Sequence, residues 1–167
     1  MQDKPPVIPL FDSIQYLDEG NATVNQHLAS ITINRVNDAA LVYEYAVDWL
    51  SEQRFNENNY KTYRSELTTF LHWCFDVEGI SLAEINRRMM NRYVDYCLDP
   101  PAELIAYRNV AQFVAIKEWD ERAPNPHWRP FLGKKENNQV LPYRLSDKAL
   151  KTKIAILSAF YGYLINE

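Results

Sequence analysis

Glycine is scarce in this chain. Gly20, Gly79, Gly133 and Gly162 are the whole complement in 167 residues, so neither of the common glycine-rich phosphate loops can be built. Cysteine is rarer still: Cys74 and Cys97 sit among apolar neighbours at helical spacing and read as small core residues, not as a disulfide or a metal pair. His27, His72 and His127 lie far apart, and none is read as having a second ligand on its own turn. His72 reads as an edge residue of helix packing. No acidic pair is spaced as a positioned acid and base. Nothing here composes an active site, and neither a cofactor nor a small-molecule ligand is expected. No run approaches the roughly 18 to 20 apolar residues that a membrane span requires. The opening MQDKPPVIPLFD lacks the basic-then-apolar order of a signal peptide.

What is present is an ordinary globular composition, 47% hydrophobic and 24% charged, enough for one domain with a core. The net charge of -4 hides an asymmetry. Residues 1–59 carry three basic and nine acidic side chains, whereas residues 122–167 carry eight basic and three acidic ones. A basic C-terminal third can face phosphates, or can simply be a solvated surface.

The pattern along the chain is helical. Residues 1–36, with Pro5, Pro6, Pro9 and Gly20, predict an irregular arm, with Ile31-Thr32-Ile33 as the one short strand. Asn37 or Asp38 caps a helix through Val42, Tyr45, Ala46, Trp49 and Leu50. A second helix runs from about Asn58 to Val77, with Tyr63, Leu67, Phe70, Leu71, Cys74 and Val77 inward and Gly79 as its stop. A third buries Met90, Tyr93, Val94 and Cys97 and ends at Pro100-Pro101. Residues 102–121 read as a further helix through Leu104, Ile105, Tyr107, Val110, Ala111 and Val114. Residues 122–145, with four prolines, Gly-Lys-Lys and Asn-Asn, read as a long loop that packs through Trp128, Phe131 and Tyr143. Ser146 caps a last helix whose stripe is Leu150, Ile154, Leu157, Tyr161 and Leu164, with Phe160 and Tyr163 pointing elsewhere. That helix carries none of the usual stop signals, so either its end frays or the chain is a piece of something longer.

Three stretches then stand out in order: a helix ending in Trp49-Leu50; a helix with Tyr63-Arg64 at its start and Leu67 to Trp73 at its centre; and Leu157-Ser158-Ala159-Phe160-Tyr161-Gly162-Tyr163-Leu164 at the end. Over residues 38–99 and 145–167 the chain resembles the N-terminal core-binding domain of tyrosine recombinases, the phage-integrase family. The resemblance implies an all-α, SAM-like bundle of about four to five helices over residues 37–167. To this it adds the arm of residues 1–36 and a long segment, residues 100–144, to which no family role carries over. It implies a cytoplasmic domain that grips double-stranded DNA alongside other protomers of the same recombinase, for integration or recombination by a catalytic domain expected after residue 167. The family's His-x-x-Arg motif is absent, so no tyrosine is nominated as a nucleophile and the chain itself is not expected to be an enzyme.

By the same resemblance, Asn59, Lys61, Thr62 and Arg64 at the start of the second core helix, with Lys148, Lys151 and Thr152 on the last, face the DNA. Lys153 lies nearer the buried face and is a poorer candidate. Apart from the resemblance, the long segment offers either further DNA contacts through Arg129, Lys134, Lys135 and Arg144 or packing against a neighbouring protomer. Tyr60 stands where the family often has a small residue. The competing expectation is a helical protein-interaction module without DNA affinity, which the acidic first third and the 13% aromatic content would also suit.

Overall fold

The computed structural model describes residues 5–116 and 121–166. The molecule is mostly helical, with a few small strands. Five α-helices are described: α1 (Ala22–Asn34), α2 (Ala39–Ser51), α3 (Glu57–His72), α4 (Arg87–Leu98) and α5 (Asp147–Ile165). Each of α1, α3, α4 and α5 starts on a polar cap that accepts from a backbone N–H of its first turn: Asn21, Asn56, Asn86 and Ser146. These bonds satisfy donors that the helix itself leaves unpaired. Asp38 precedes α2 without such a bond, because its carboxylate accepts instead from Ser81 Oγ at 2.6 Å.

The second predicted helix is longer than a single α-helix. After His72 it continues as a π-turn over Trp73–Glu78 and stops at Gly79, which is left-handed at φ 67°. Ile80 N–H returns to Cys74 C=O at 2.8 Å, closing the end, and Arg35 Nε donates to the Phe75 carbonyl. The wider turn swings Val77 into solvent, against the expectation that it is buried.

The core joins α2, α3 and α5 through aromatic rings. Trp49 stacks on Tyr63 at 5.1 Å and meets Phe160 at 5.2 Å, while Phe70 lies against Trp73, Tyr93 and Tyr161. Phe160 is fully buried, which corrects its expected outward position. On α5 the buried residues are Lys153, Ile156, Leu157 and Phe160, so the inward face is turned by about 70° from the predicted stripe at about 100° per residue. Leu157 remains on it, whereas Ile154 is exposed. Rotation brings Lys153 inward, where Glu66 on α3 holds its amine at 2.9 Å.

Two stretches differ from the sequence reading. Residues 5–13 are irregular as expected, but the described residues 5–36 are not a free arm: Val7, Leu10, Phe11, Leu17, Val24, Leu28 and Ile31 all enter the core, and Ile31-Thr32-Ile33 lies inside α1 instead of forming a strand. Asn21 starts this helix; the prolines only precede it. The described residues 102–116 are not an α-helix. A short 3-10 turn, Ala102–Leu104, leads into β1 (Ile105–Ala106) and then β2 (Phe113–Ile116); positions 117–120 of the expected helix lie outside the described residues. β2 pairs antiparallel with β3 (Glu121–Pro124), and β1 pairs parallel with β4 (Phe131–Leu132). β5 (Lys135–Glu136) and β6 (Gln139–Val140) form a hairpin turned by Asn137 and Asn138, both at positive φ, which asparagine tolerates well. The predicted loop of residues 122–145 therefore carries strands, and Trp128 and Phe131 are buried as expected.

Gly133 fixes one close approach in this segment. A Cβ there would stand 2.6 Å from the Tyr107 ring and 2.9 Å from Ile105 Cγ2, so any other residue would have to push those two side chains aside.

Candidate nucleic-acid interface

Among the described residues no group of three or more His, Cys, Asp or Glu is arranged to hold a metal ion, and no helix is long and apolar enough to cross a membrane. The two helix starts that the sequence offers as a DNA contact are those of α3 and α5. Glu66–Lys153 and Phe70–Tyr161 contacts occur in the same order along α3 and α5. The helices thus run in the same general sense, with their N-terminal turns toward one end of the pair.

On α3, Asn59, Lys61 and Thr62 are exposed. Lys61 pairs with Glu57 one turn earlier at 3.3 Å, an arrangement that water weakens. Thr62 Oγ1 donates to its own helix at the Asn58 carbonyl. Arg64 is different: it is half-buried, donates from NH1 to the Phe11 carbonyl at 3.2 Å, and lies over the Tyr60 ring at 5.6 Å. Burial pulls its pKa down, with Tyr60 and Asp12 opposing. Tyr60 is itself buried and donates to the Asp12 carbonyl, so this tyrosine pins the N-terminal segment to α3.

On α5, Lys148, Lys151 and Thr152 are exposed. Thr152 Oγ1 turns back to the Lys148 carbonyl, while neither lysine's amine has an ion-pair or hydrogen-bond partner among the described residues. Glu57 and Asp147 occupy the first turns of the two helices and offset part of the positive field of the helix ends. The net cationic character of the face therefore comes from the lysines.

The additional candidates divide. Lys134, Lys135 and Arg144 are exposed, with Lys135 over the Tyr107 ring at 5.3 Å. Arg129 is a strut: Nε donates to the Glu103 carbonyl at 2.8 Å and NH1 to the carbonyls of Pro126 and Trp128.

Two clusters escaped the sequence reading. His72 does have a partner on its own turn: Asp76 accepts from His72 Nδ1 at 3.0 Å and meets His27 Nε2 from α1 at 3.3 Å. The spacing of four was visible, but His27 is distant in sequence. Arg122 forms a two-pronged pair with Asp12 at 2.6 and 2.8 Å and covers Tyr16; nothing local marks residues 110 apart as partners.

No protein-family model, curated protein or solved structure matches the chain.

Proposed function

We propose that this chain is a duplex-DNA-gripping module of the kind found as the core-binding domain of tyrosine recombinases. Strand cleavage would be left to a separate catalytic domain and recombination to several protomers assembled on the DNA. The observation that carries the reading is the pairing of the α3 and α5 N-terminal turns toward one end, with exposed Lys61, Lys148 and Lys151 and no carboxylate claiming the last two. Lysines so placed contact phosphates in register with a groove, while the amide of Asn59 and the hydroxyls of Thr62 and Thr152 supply neutral contacts. Neutralising about four phosphates implies a log-log salt slope near -3 to -4.

The test is the double charge reversal Lys148→Glu with Lys151→Glu, titrated against a fluorescent duplex. Affinity should fall by about ten-fold or more, with the thermal midpoint within about 3 °C of wild type, since both side chains lie off the buried face. Undiminished binding would remove α5 from the contact. Absence of any salt-sensitive binding by the wild type at micromolar protein would instead favour a protein-interaction module.

A further inference from the structure

Three adjoining clefts run from the start of α3 into the segment between α4 and α5. The first, about 430 Å³, opens beside Lys61 and Arg64 and is closed on its far side by Asn109, Gln112 and Trp128. The second, about 150 Å³, shares Ser65, Asn109 and Trp128 with it and brings in Arg108 and Arg129. The third, about 380 Å³, shares Arg108 and Val110 with the second and ends at Tyr107, His127 and Lys135. Together they form one groove: Lys61, Arg64 and Ser65 of α3 line its first part, only Ser65 of α3 reaches the second, and the third is lined by the segment between α4 and α5 alone.

The charge of this groove is unlike that of the chain. Its lining holds five permanent cations, Lys61, Arg64, Arg108, Arg129 and Lys135, together with His127, and not one Asp or Glu. The chain as a whole carries 22 acidic against 18 basic side chains, so an acid-free lining is not a sample of its average surface. The cations also differ in availability. Arg129 is spent on three backbone carbonyls, and Arg64 gives one arm to Phe11. Lys61 is shared with Glu57 at the mouth. Arg108 is exposed and has no ion-pair or hydrogen-bond partner among the described residues, and the Lys135 amine rests over an aromatic face. Fixed arms thus shape the wall, and free ones reach out of it. A cleft lined by one sign of charge concentrates the field and draws in a polyanion.

We infer that the segment between α4 and α5 is a second DNA-binding element. Its Arg108 and Lys135 continue the α3 contact along the sugar-phosphate backbone of the same duplex, which lies across the mouths of the clefts with the phosphates of one strand facing them. The inference rests on the DNA-binding reading above. It gives a task to a segment for which the family resemblance implied none. Phosphate contacts of this kind carry no base information, so the element lengthens the footprint and raises affinity without narrowing the choice of sequence.

The experiment uses the full chain and a duplex of about 30 base pairs, titrated by fluorescence anisotropy between about 50 and 300 mM NaCl. Wild type is compared with Arg108→Ala/Lys135→Ala, with the charge-retaining Arg108→Lys/Lys135→Arg, and with Lys148→Glu/Lys151→Glu. Loss of two phosphate contacts should weaken binding by about ten-fold and make the salt slope shallower by about 1.8. The charge-retaining pair should keep the wild-type slope, and ethylation interference should lose phosphates on one flank only. Matching thermal melts exclude unfolding as the cause. If the alanine pair binds with wild-type affinity and slope, the inference is overturned, and sensitivity of the α5 lysines alone would leave the broader reading standing. If the alanine pair weakens binding and the α5 reversal does not, the groove stands and the α5 contact falls. If wild type does not bind duplex at all, both fail.

Discussion

Asp76 shows how much of this fold depends on single polar side chains. It accepts from His72 on its own helix and from His27 on α1, so it ties the N-terminal helix to the end of α3. Burial alone would raise its pKa, but the two imidazole hydrogen bonds and charges outweigh burial and hold the carboxyl below its ordinary value. A depressed folded pKa means that the stabilisation is fully present above the ordinary carboxylate range, about 4, and is lost as pH falls below that toward the folded value. Asp76→Asn should therefore cost about 1–3 kcal/mol near pH 7, with the gap from wild type narrowing near pH 3. Urea titrations at the two pH values check this, and a gap that does not change with pH would mean that Asp76 does not titrate with the fold. Other single residues are legible in the sequence alone. Gly79 was expected to stop its helix and sits at φ 67°; Lys153 was set apart from its exposed neighbours and is buried on Glu66. Both rest on local rules, left-handed backbone and helical angle, which is why sequence carried them.

At the scale of elements, the helices with strong caps and clear periodicity were legible and the segment between α4 and α5 was not. Leu104, Val110 and Val114 happen to fit a helical spacing, yet the strand β2 needs only Phe113–Ile116, and β3 supplies its pairing partner. Short apolar runs cannot be assigned by period alone. The same limit hid α1, whose β-branched Ile31-Thr32-Ile33 mimic a strand while Asn21 supplies the decisive cap. It also hid part of the candidate site: Lys61 is legible from a helix start, but Arg108 comes to a cleft adjoining that of Lys61 only because residues 105–116 are short strands and their connection. What fastens the β2–β3 pair to the helices is Arg122. Its guanidinium grips buried Asp12, and its carbonyl accepts from Asn21 at 2.7 Å. Arg122→Ala leaves Asp12 without its cation, which should cost on the order of 3 kcal/mol. Arg122→Lys should recover only part, because one amine cannot reproduce the two-pronged grip. Hydrogen exchange locates the loss: amides of β2 and β3 should lose protection first. Equal loss across α3 and α5 would mean that the pair is not a local fastening.

For the molecule as a whole, the question is whether helices and inserted strands unfold together. The N-terminal segment argues that they do, because it touches both. Phe11 is fully buried and stacks on Tyr43 of α2 at 5.3 Å. Its carbonyl accepts from Arg64 of α3, and the next residue, Asp12, binds Arg122 beside the strands. Further along, Phe131 of β4 lies against Tyr96 of α4 and within 5.5 Å of Lys153 on α5, so the segment between α4 and α5 is joined to the helices at two ends. A structure with one such core should melt in one cooperative step. Phe11→Ala removes a ring at the junction and should cost about 3–5 kcal/mol. The loss should be seen equally by reporters in the helices and in the insert. Three tryptophans are placed to read it: Trp49 in α2, Trp73 at the end of α3, and Trp128 between β3 and β4. With 5-fluorotryptophan in place of tryptophan, their separate fluorine resonances should lose intensity at one urea midpoint in the wild type. In Phe11→Ala that shared midpoint should move down for all three by the same amount. If the Trp128 resonance disappears at lower urea than the other two, the insert is a separate folding unit, and the groove it forms with α3 would open before the helical core gives way.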